Sequence, residues 1–317
     1  MNDIDNKFEF LGQLPKDMAI ETASHLTTPN LIRLSMVSKG YSTFFEPLLE
    51  QRKTVQKFIH HVVRGEYDAV KEMLKKDYRL MVKRDQVTDC SGRTFEFISG
   101  FEYALWALDK HMWTMMLDCL PENEQGQQVL LQLLSQYNKV DSEGVIYRLD
   151  EKKITEKHFD FANIIIKKLQ KLVDSMNAPG NNNYFNDHQW RVCVGGAQKL
   201  LPMHIIDEYC SDEPFDPVPK FTSQQKSLRQ FYNWTTKEKE NWFSVDSKLS
   251  VDFAIFKAGA ATIGSWVEAA QPHVACNLAA MTELFIVRTK DFLNLKSQLE
   301  EQMTIDNNLQ EPKISPN

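Results

Sequence analysis

The chain has 317 residues, 42% apolar and 25% charged, a globular composition with room for about two domains. Its 37 basic against 43 acidic residues leave a net charge of −6. With no basic stripe in the sequence, this argues against nucleic acid as the main partner. Five cysteines (Cys90, Cys119, Cys193, Cys210 and Cys276) are odd in number and contain no CxxC, so neither a disulfide framework nor a structural zinc site is expected. They suit a reducing cytosol, as small hydrophobes. The opening MNDIDNKFEF lacks the apolar stretch of a secretory signal, and the run from Ala258 to Val267 falls far short of the ~20 residues a membrane span needs. Low glycine and proline content, 12 of each, predicts a mostly helical chain.

Punctuation is clearest between Leu14 and Arg52. Leu14-Pro15 opens a helix, since proline suits a first turn whose N–H has no intrahelical partner. Met18, Ala19, Ala23 and Leu26 follow at helical spacing. Thr28-Pro29 restarts the chain as N-cap and first turn, Leu31, Leu34 and Val37 recur every third residue, and Gly40 ends that helix. Tyr41, Phe44, Phe45, Leu48 and Leu49 form the stripe of a third helix. Some 40 residues without a cysteine cannot bury a self-sufficient core, so this unit is expected to dock on its own chain or on another protein.

Leu14-Pro15, Ile20, Leu26, Leu31, Leu34 and Val37-Ser38 stand where an F-box has its Leu-Pro, its helical aliphatics and its Val-Cys/Ser. The stretch resembles an F-box, placed at residues 10–52. The resemblance implies docking on the Skp-type adaptor of a cullin–RING ubiquitin ligase through Leu14, Pro15, Met18, Ile20, Leu26, Leu31, Leu34, Val37 and Ser38. It departs after Leu49, where many F-boxes carry tryptophan and this chain has Glu50. The contact is therefore assigned to the first two helices.

Residues 53–120 read as two helical pairs. Phe58, Ile59, Val62 and Val63 precede a break at Arg64-Gly65, then Val70, Met73 and Leu74 follow. After a charged loop from Asp77 to Arg93, Ala104, Leu105 and Leu108 precede Trp113, Met116 and Leu120. The pairs superpose at an offset of 46 residues, Gly65 on His111, which suggests stacked repeats. VVRGEYDAVKEMLKK resembles the second half of an ankyrin repeat, and Ser91-Gly92-Arg93-Thr94 resembles its turn, although Phe95-Glu96-Phe97 replaces the Pro-Leu-His. The pairing of an F-box with degenerate ankyrin-like repeats is similar to F-box effectors of intracellular bacteria. The block from Trp190 to Pro202, with IIDEYC and PFDP beyond it, resembles such effectors too. That resemblance implies a protein secreted into the host-cell cytoplasm.

Residues 121–303 are expected to form a helical C-terminal domain, with stripes at Val129 to Tyr137 and Phe159 to Leu172, an extended proline loop from Ser211 to Lys220, and a last long element from Val251 to Met303. Residues 304–317 are expected to be a flexible tail. The fold class is thus all-α: an F-box, ankyrin-like repeats and a helical C-terminal domain.

Asp187-His188 near Cys193, beside a Gly195-Gly196 turn, is the best sequence candidate for nucleophilic catalysis, but Cys193 between two valines reads as buried and inert. His60-His61 lie on adjacent helix faces and cannot chelate one metal together, and no phosphate loop is present. No cofactor, metal or catalytic residue is therefore assigned. Trp106, Trp113, Phe231, Tyr232 and Trp234 are candidate target contacts, since aromatic side chains anchor interfaces. The expected function is a non-catalytic substrate receptor that bridges the ligase to a target protein. Two alternatives are an F-box-localised enzyme and a competitor of host F-box proteins that recruits no target.

Overall fold

A computed structural model describes residues 14–180, 182–259 and 263–309, with side chains through Met303. Residues 10–13 of the expected F-box and 310–317 of the expected tail lie outside them. The chain forms two compact units that divide between Phe58 and Ile59, six residues later than the sequence suggests.

The first unit holds α1 (Lys16–Ser24), α2 (Thr28–Ser35) and the start of α3 (Lys39–Val63). Pro15 precedes α1 and Pro29 lies in the first turn of α2, the positions where proline loses no helical bond. Ser38 accepts the Tyr41 N–H at 3.1 Å and so starts α3. Ala23, Leu31 and Phe45 are fully buried, and Leu26, Leu34, Tyr41, Phe44, Leu48 and Leu49 pack around them. The Arg52 guanidinium donates to the Ser24 carbonyl at 2.6 Å and to Thr28 Oγ1 at 3.1 Å, tying α3 to the α1–α2 junction. Two expected helices, from Tyr41 and around Phe58, are one: α3 runs unbroken through Pro47.

In the second unit the paired helices stand where the periodicity places them: the end of α3 with α4 (Tyr67–Lys76), then α5 (Gly100–Ala107) with α6 (Lys110–Leu117). The charged loop between them is a β-hairpin. Strands β1 (Arg84–Thr88) and β2 (Thr94–Ser99) join β3 (Val145–Leu149) and β4 (Lys152–Glu156) in an antiparallel sheet of order β1-β2-β3-β4. Between the two hairpins runs α7 (Glu124–Glu143). Ser99 ends β2 and starts α5 through a capping box with Glu102, whose carboxylate also receives Arg84 at 2.7 Å through both guanidinium nitrogens.

A π-helical turn (Ala162–Ile166) leads into α8 (Lys167–Asn177), followed by α9 (Asn183–His188), a second π-helical turn (Gln189–Val194), α10 (Gly195–Gln198) and α11 (Met203–Cys210). The second sheet has the order β6-β5-β8-β7, from β5 (Gln230–Asn233), β6 (Glu238–Asn241), β7 (Ala254–Lys257) and β8 (Ile263–Trp266), with β5 and β8 parallel. Helix α12 (Gln271–Leu309) closes the chain, and its Asn277 donates to the Lys257 carbonyl of β7 at 3.1 Å.

Eight strands in two sheets among the described residues make the fold mixed α/β, not all-α. The strands are only four to six residues long, too short for alternation to register, and β4 (KKITE) and β6 (EKEN) are mostly charged. The β3–β4 turn takes positive φ at Asp150 and Glu151 without the glycine that usually marks it. The Ala- and Gly-rich run expected to begin the last helix instead holds β7 and β8, and α12 starts only at Gln271 with Pro272 in its first turn.

Candidate functional site

Of the nine side chains expected at the adaptor contact, Leu31 is buried in the core of the first unit, and Leu14, Ile20, Leu26 and Leu34 are half-buried. Pro15, Met18, Val37 and Ser38 face solvent. Two further apolar residues join them that the sequence reading passed over: Ile32, 43% exposed, and Met36, 78% exposed. Their signal was the i, i+4 spacing on the side of α2 opposite Leu31 and Leu34. A unit of this size with Met18, Ile32, Met36 and Val37 all in water has apolar surface left to cover.

The aromatic candidates separate by burial. Trp106 and Trp113 are core residues, so they cannot anchor a partner from the surface. Trp113 packs edge-on to Phe292 of α12 at 6.4 Å. Phe231, also expected as a target contact, is on the buried side of β5, against Trp242 and Phe253. Tyr232 is half-buried and Trp234 is 41% exposed. They meet edge-to-face at 4.8 Å, and the Lys237 ammonium lies 5.7 Å over the Trp234 ring, so this pair is the part of the cluster that a partner can reach.

The catalytic candidates come apart. The Asp187 carboxylate is spent on the Ala269 N–H at 2.7 Å. Gly195-Gly196 is no turn but the start of α10, where Gly195 lets the helix approach the Ser250–Phe253 backbone; a Cβ there would meet the Phe253 carbonyl at 3.0 Å. His61 pairs with Glu66, and among the described residues no group of three His, Cys, Asp or Glu could hold a metal ion.

The second unit instead gathers buried charge around α11. Arg288 of α12 donates to the Phe221 carbonyl at 2.9 Å and His111 Nε2 at 3.1 Å, and lies 3.4 Å from Glu208. Burial raises the Glu208 carboxyl to about 7, against the pull of Arg288. Asp207 is held by Arg229 at 2.8 and 2.9 Å, and Arg229 also donates to the carbonyls of Arg64 and Gly65. Tyr67 donates to Asp109, whose own carboxyl burial pushes upward. Two open grooves flank this region. One of about 490 Å³ is lined by Glu66, Tyr67, Asp207, Ser227 and Arg229, and one of about 550 Å³ by Ser211, Lys226, Phe231, Tyr232 and Lys239.

His204 makes this cluster pH-sensitive. Its Nε2 meets the Ala107 carbonyl at 2.7 Å while its buried Nδ1 has no partner, which fits the neutral ring. Burial, helped by Arg288, pushes its pKa from 6.5 down to about 3. The unfolded chain takes up the proton below about pH 6.5 and the folded chain does not. Stability tied to neutral His204 is therefore complete above that pH and is lost progressively down to about pH 3. His204→Gln retains a donor for Ala107. Its penalty in urea unfolding at pH 7.5 is expected to shrink by about 2 kcal/mol at pH 5. A penalty equal at both pH values contradicts the neutral, buried imidazole.

The fold and these surfaces describe a two-unit protein with a three-helix N-terminal unit and a mixed α/β unit of two small sheets. Residues 164–299 match the family model described as the CBUA0006 C-terminal domain, a span that takes in the whole second sheet. The chain is 35% identical over 267 residues to CBUA0006 of Coxiella burnetii, itself uncharacterised, covering 78% of this chain and 76% of that one. It belongs to the CBUA0006 family. No solved structure matches it.

Proposed function

We propose that the protein is a substrate-receptor subunit of a Skp–cullin–F-box ubiquitin ligase, working in the host-cell cytoplasm after secretion. The N-terminal unit docks on the Skp-type adaptor, and the second unit holds a target protein near the charged ubiquitin-conjugating enzyme. Its contribution is proximity, which raises the target's effective concentration at the ligase. The observation that carries the reading is the exposure of Pro15, Met18 and Val37 on α1 and α2, at positions matching an F-box, together with Ile32 and Met36. The bacterial origin of the relative accords with the resemblance to bacterial effectors.

Met18→Glu with Val37→Glu changes two side chains that the fold leaves in water, so the unit keeps its core. The double variant is expected to lose adaptor co-purification from host-cell lysate. Each anchor is worth about 2 kcal/mol if it is a hot spot, roughly thirtyfold in Kd. Leu14→Ala with Pro15→Ala should act in the same direction. Wild-type capture of the adaptor by a folded Met18/Val37 double variant rules the docking out. Capture of adaptor without any ubiquitinated target would favour the competitor.

A further inference from the structure

One groove of the second unit has Ser211 in its wall, and behind Ser211 stands a lysine, Lys257, that the docking reading does not use. Ser211 follows the last turn of α11, and Lys257 is the last residue of β7; both are buried, Lys257 completely. The Lys257 ammonium donates to Ser211 Oγ at 2.9 Å and to the Glu208 carbonyl at 2.6 Å, and Ser211 Oγ donates to that same carbonyl at 3.0 Å. The ring of Phe215 covers Nζ at 4.8 Å. A lysine that only capped α11 would need the backbone carbonyl alone. Here it also addresses a hydroxyl in the wall of a groove of about 550 Å³. Phe231 and Tyr232 give that groove an apolar side, and Lys226 and Lys239 outnumber Asp212 among its charges.

We propose that Ser211 and Lys257 are a nucleophile and general base that hydrolyse small esters whose acyl group carries a carboxylate, with Lys226 and Lys239 attracting that carboxylate. Lysine serves as the base for serine in several unrelated folds because a buried amine can lose its proton. Burial lowers Lys257 to about 8, although Glu208, Cys210, Glu213 and Asp212 all pull the other way. The reactive amine therefore becomes populated as the pH rises through about 8. In that form the Ser211 hydroxyl turns from the Glu208 carbonyl to Nζ. Oγ bonds to the ester carbon, its proton passes to Nζ, and the carbonyl electron pair moves onto oxygen. When the carbonyl re-forms, the ester C–O bond breaks and the departing alkoxide takes the proton from Lys257. Water then attacks the acylated Ser211, giving its proton to Nζ; Oγ recovers that proton as the acid leaves.

The test treats the full chain with an alkyl fluorophosphonate at pH 8.5, where Oγ displaces fluoride at phosphorus, and locates the adduct by peptide mass spectrometry. The expected result is an adduct on Ser211 whose rate of formation rises through about pH 8 and which Ser211→Ala abolishes. Lys257→Arg keeps a cation for the Glu208 carbonyl but no usable base, so a capping role survives it and the proposed role does not. Its labelling should be at least ~100-fold slower. An unlabelled Ser211 in folded wild-type protein overturns the proposal, as does undiminished labelling of a folded Lys257→Arg variant. Faster hydrolysis of p-nitrophenyl hydrogen succinate than of p-nitrophenyl acetate is expected of the wild type. The reverse order overturns the substrate class.

Discussion

Trp106→Ala is expected to destabilise the protein by about 3–5 kcal/mol in urea unfolding, the range for emptying a large aromatic site in a packed core. Trp106 is fully buried, with the rings of Phe95, Tyr103, Tyr147 and Phe159 at 5.1 to 6.1 Å and its Nε1 3.3 Å from Glu156 of β4. It also covers Arg93, whose guanidinium lies 5.3 Å over the indole and within 5.6 Å of Tyr147 and Phe159. Arg93 is entirely buried, and its Nε and Nη2 have no hydrogen-bond partner, so the aromatic faces and Asp89 are what compensate its charge. Removing the indole therefore opens a cavity and uncovers a buried cation at once. Trp106→Phe should recover part of the loss by keeping an aromatic face for Arg93. If Trp106→Ala unfolds at the wild-type urea midpoint but loses a bound target, the residue is an interface anchor and this account of the core is wrong.

Trp106 illustrates what the sequence could carry. Its helical neighbourhood was legible because Ala104, Leu105 and Leu108 repeat at helix spacing, and α5 stands there. Whether an indole faces a partner or a core depends on what arrives from elsewhere in the chain. Here the covering rings come from β2, β3 and the segment after β4. The helices at Met18 to Phe45 were likewise legible from caps, prolines and a long apolar stripe, all local signals. The strands were not. Phe95, Ile98 and Ser99 are the buried positions of β2, but exposed Glu96 and Phe97 stand together after Phe95 and break the alternation. The Ser211–Lys257 pair was invisible for a different reason: its members lie 46 residues apart, and only the tertiary fold brings Nζ to Oγ. Asp187, His188 and Cys193 show the converse, since closeness in sequence within a helical run does not aim side chains at one point, and Asp187 instead accepts the Ala269 N–H.

Arg288→Met should destabilise the second unit by about 3–5 kcal/mol, since deleting one member of a buried ionic group leaves its partners uncompensated. Arg288 is fully buried on α12 and ties that helix to three places: the Phe221 carbonyl just past the proline loop, α6 at His111, and α11 at Glu208, with Asp291 one turn along its own helix. Methionine matches much of the stem's volume, so the expected loss is mainly electrostatic rather than a cavity. Glu208 then has no guanidinium beside it, and its carboxyl, already raised to about 7 by burial, moves higher still. A second change, Glu208→Gln, removes the stranded charge while keeping the shape. The double variant is therefore expected to be more stable than Arg288→Met alone, although Glu208→Gln by itself costs stability in the wild-type background. The sign of that interaction is the diagnostic quantity, measured as urea midpoints of the four proteins at pH 8, where the Glu208 carboxylate is mostly ionised in the parent. Additive losses would mean that Arg288 supports the unit through its Phe221 and His111 hydrogen bonds alone, and that Glu208 is compensated by Lys257 instead.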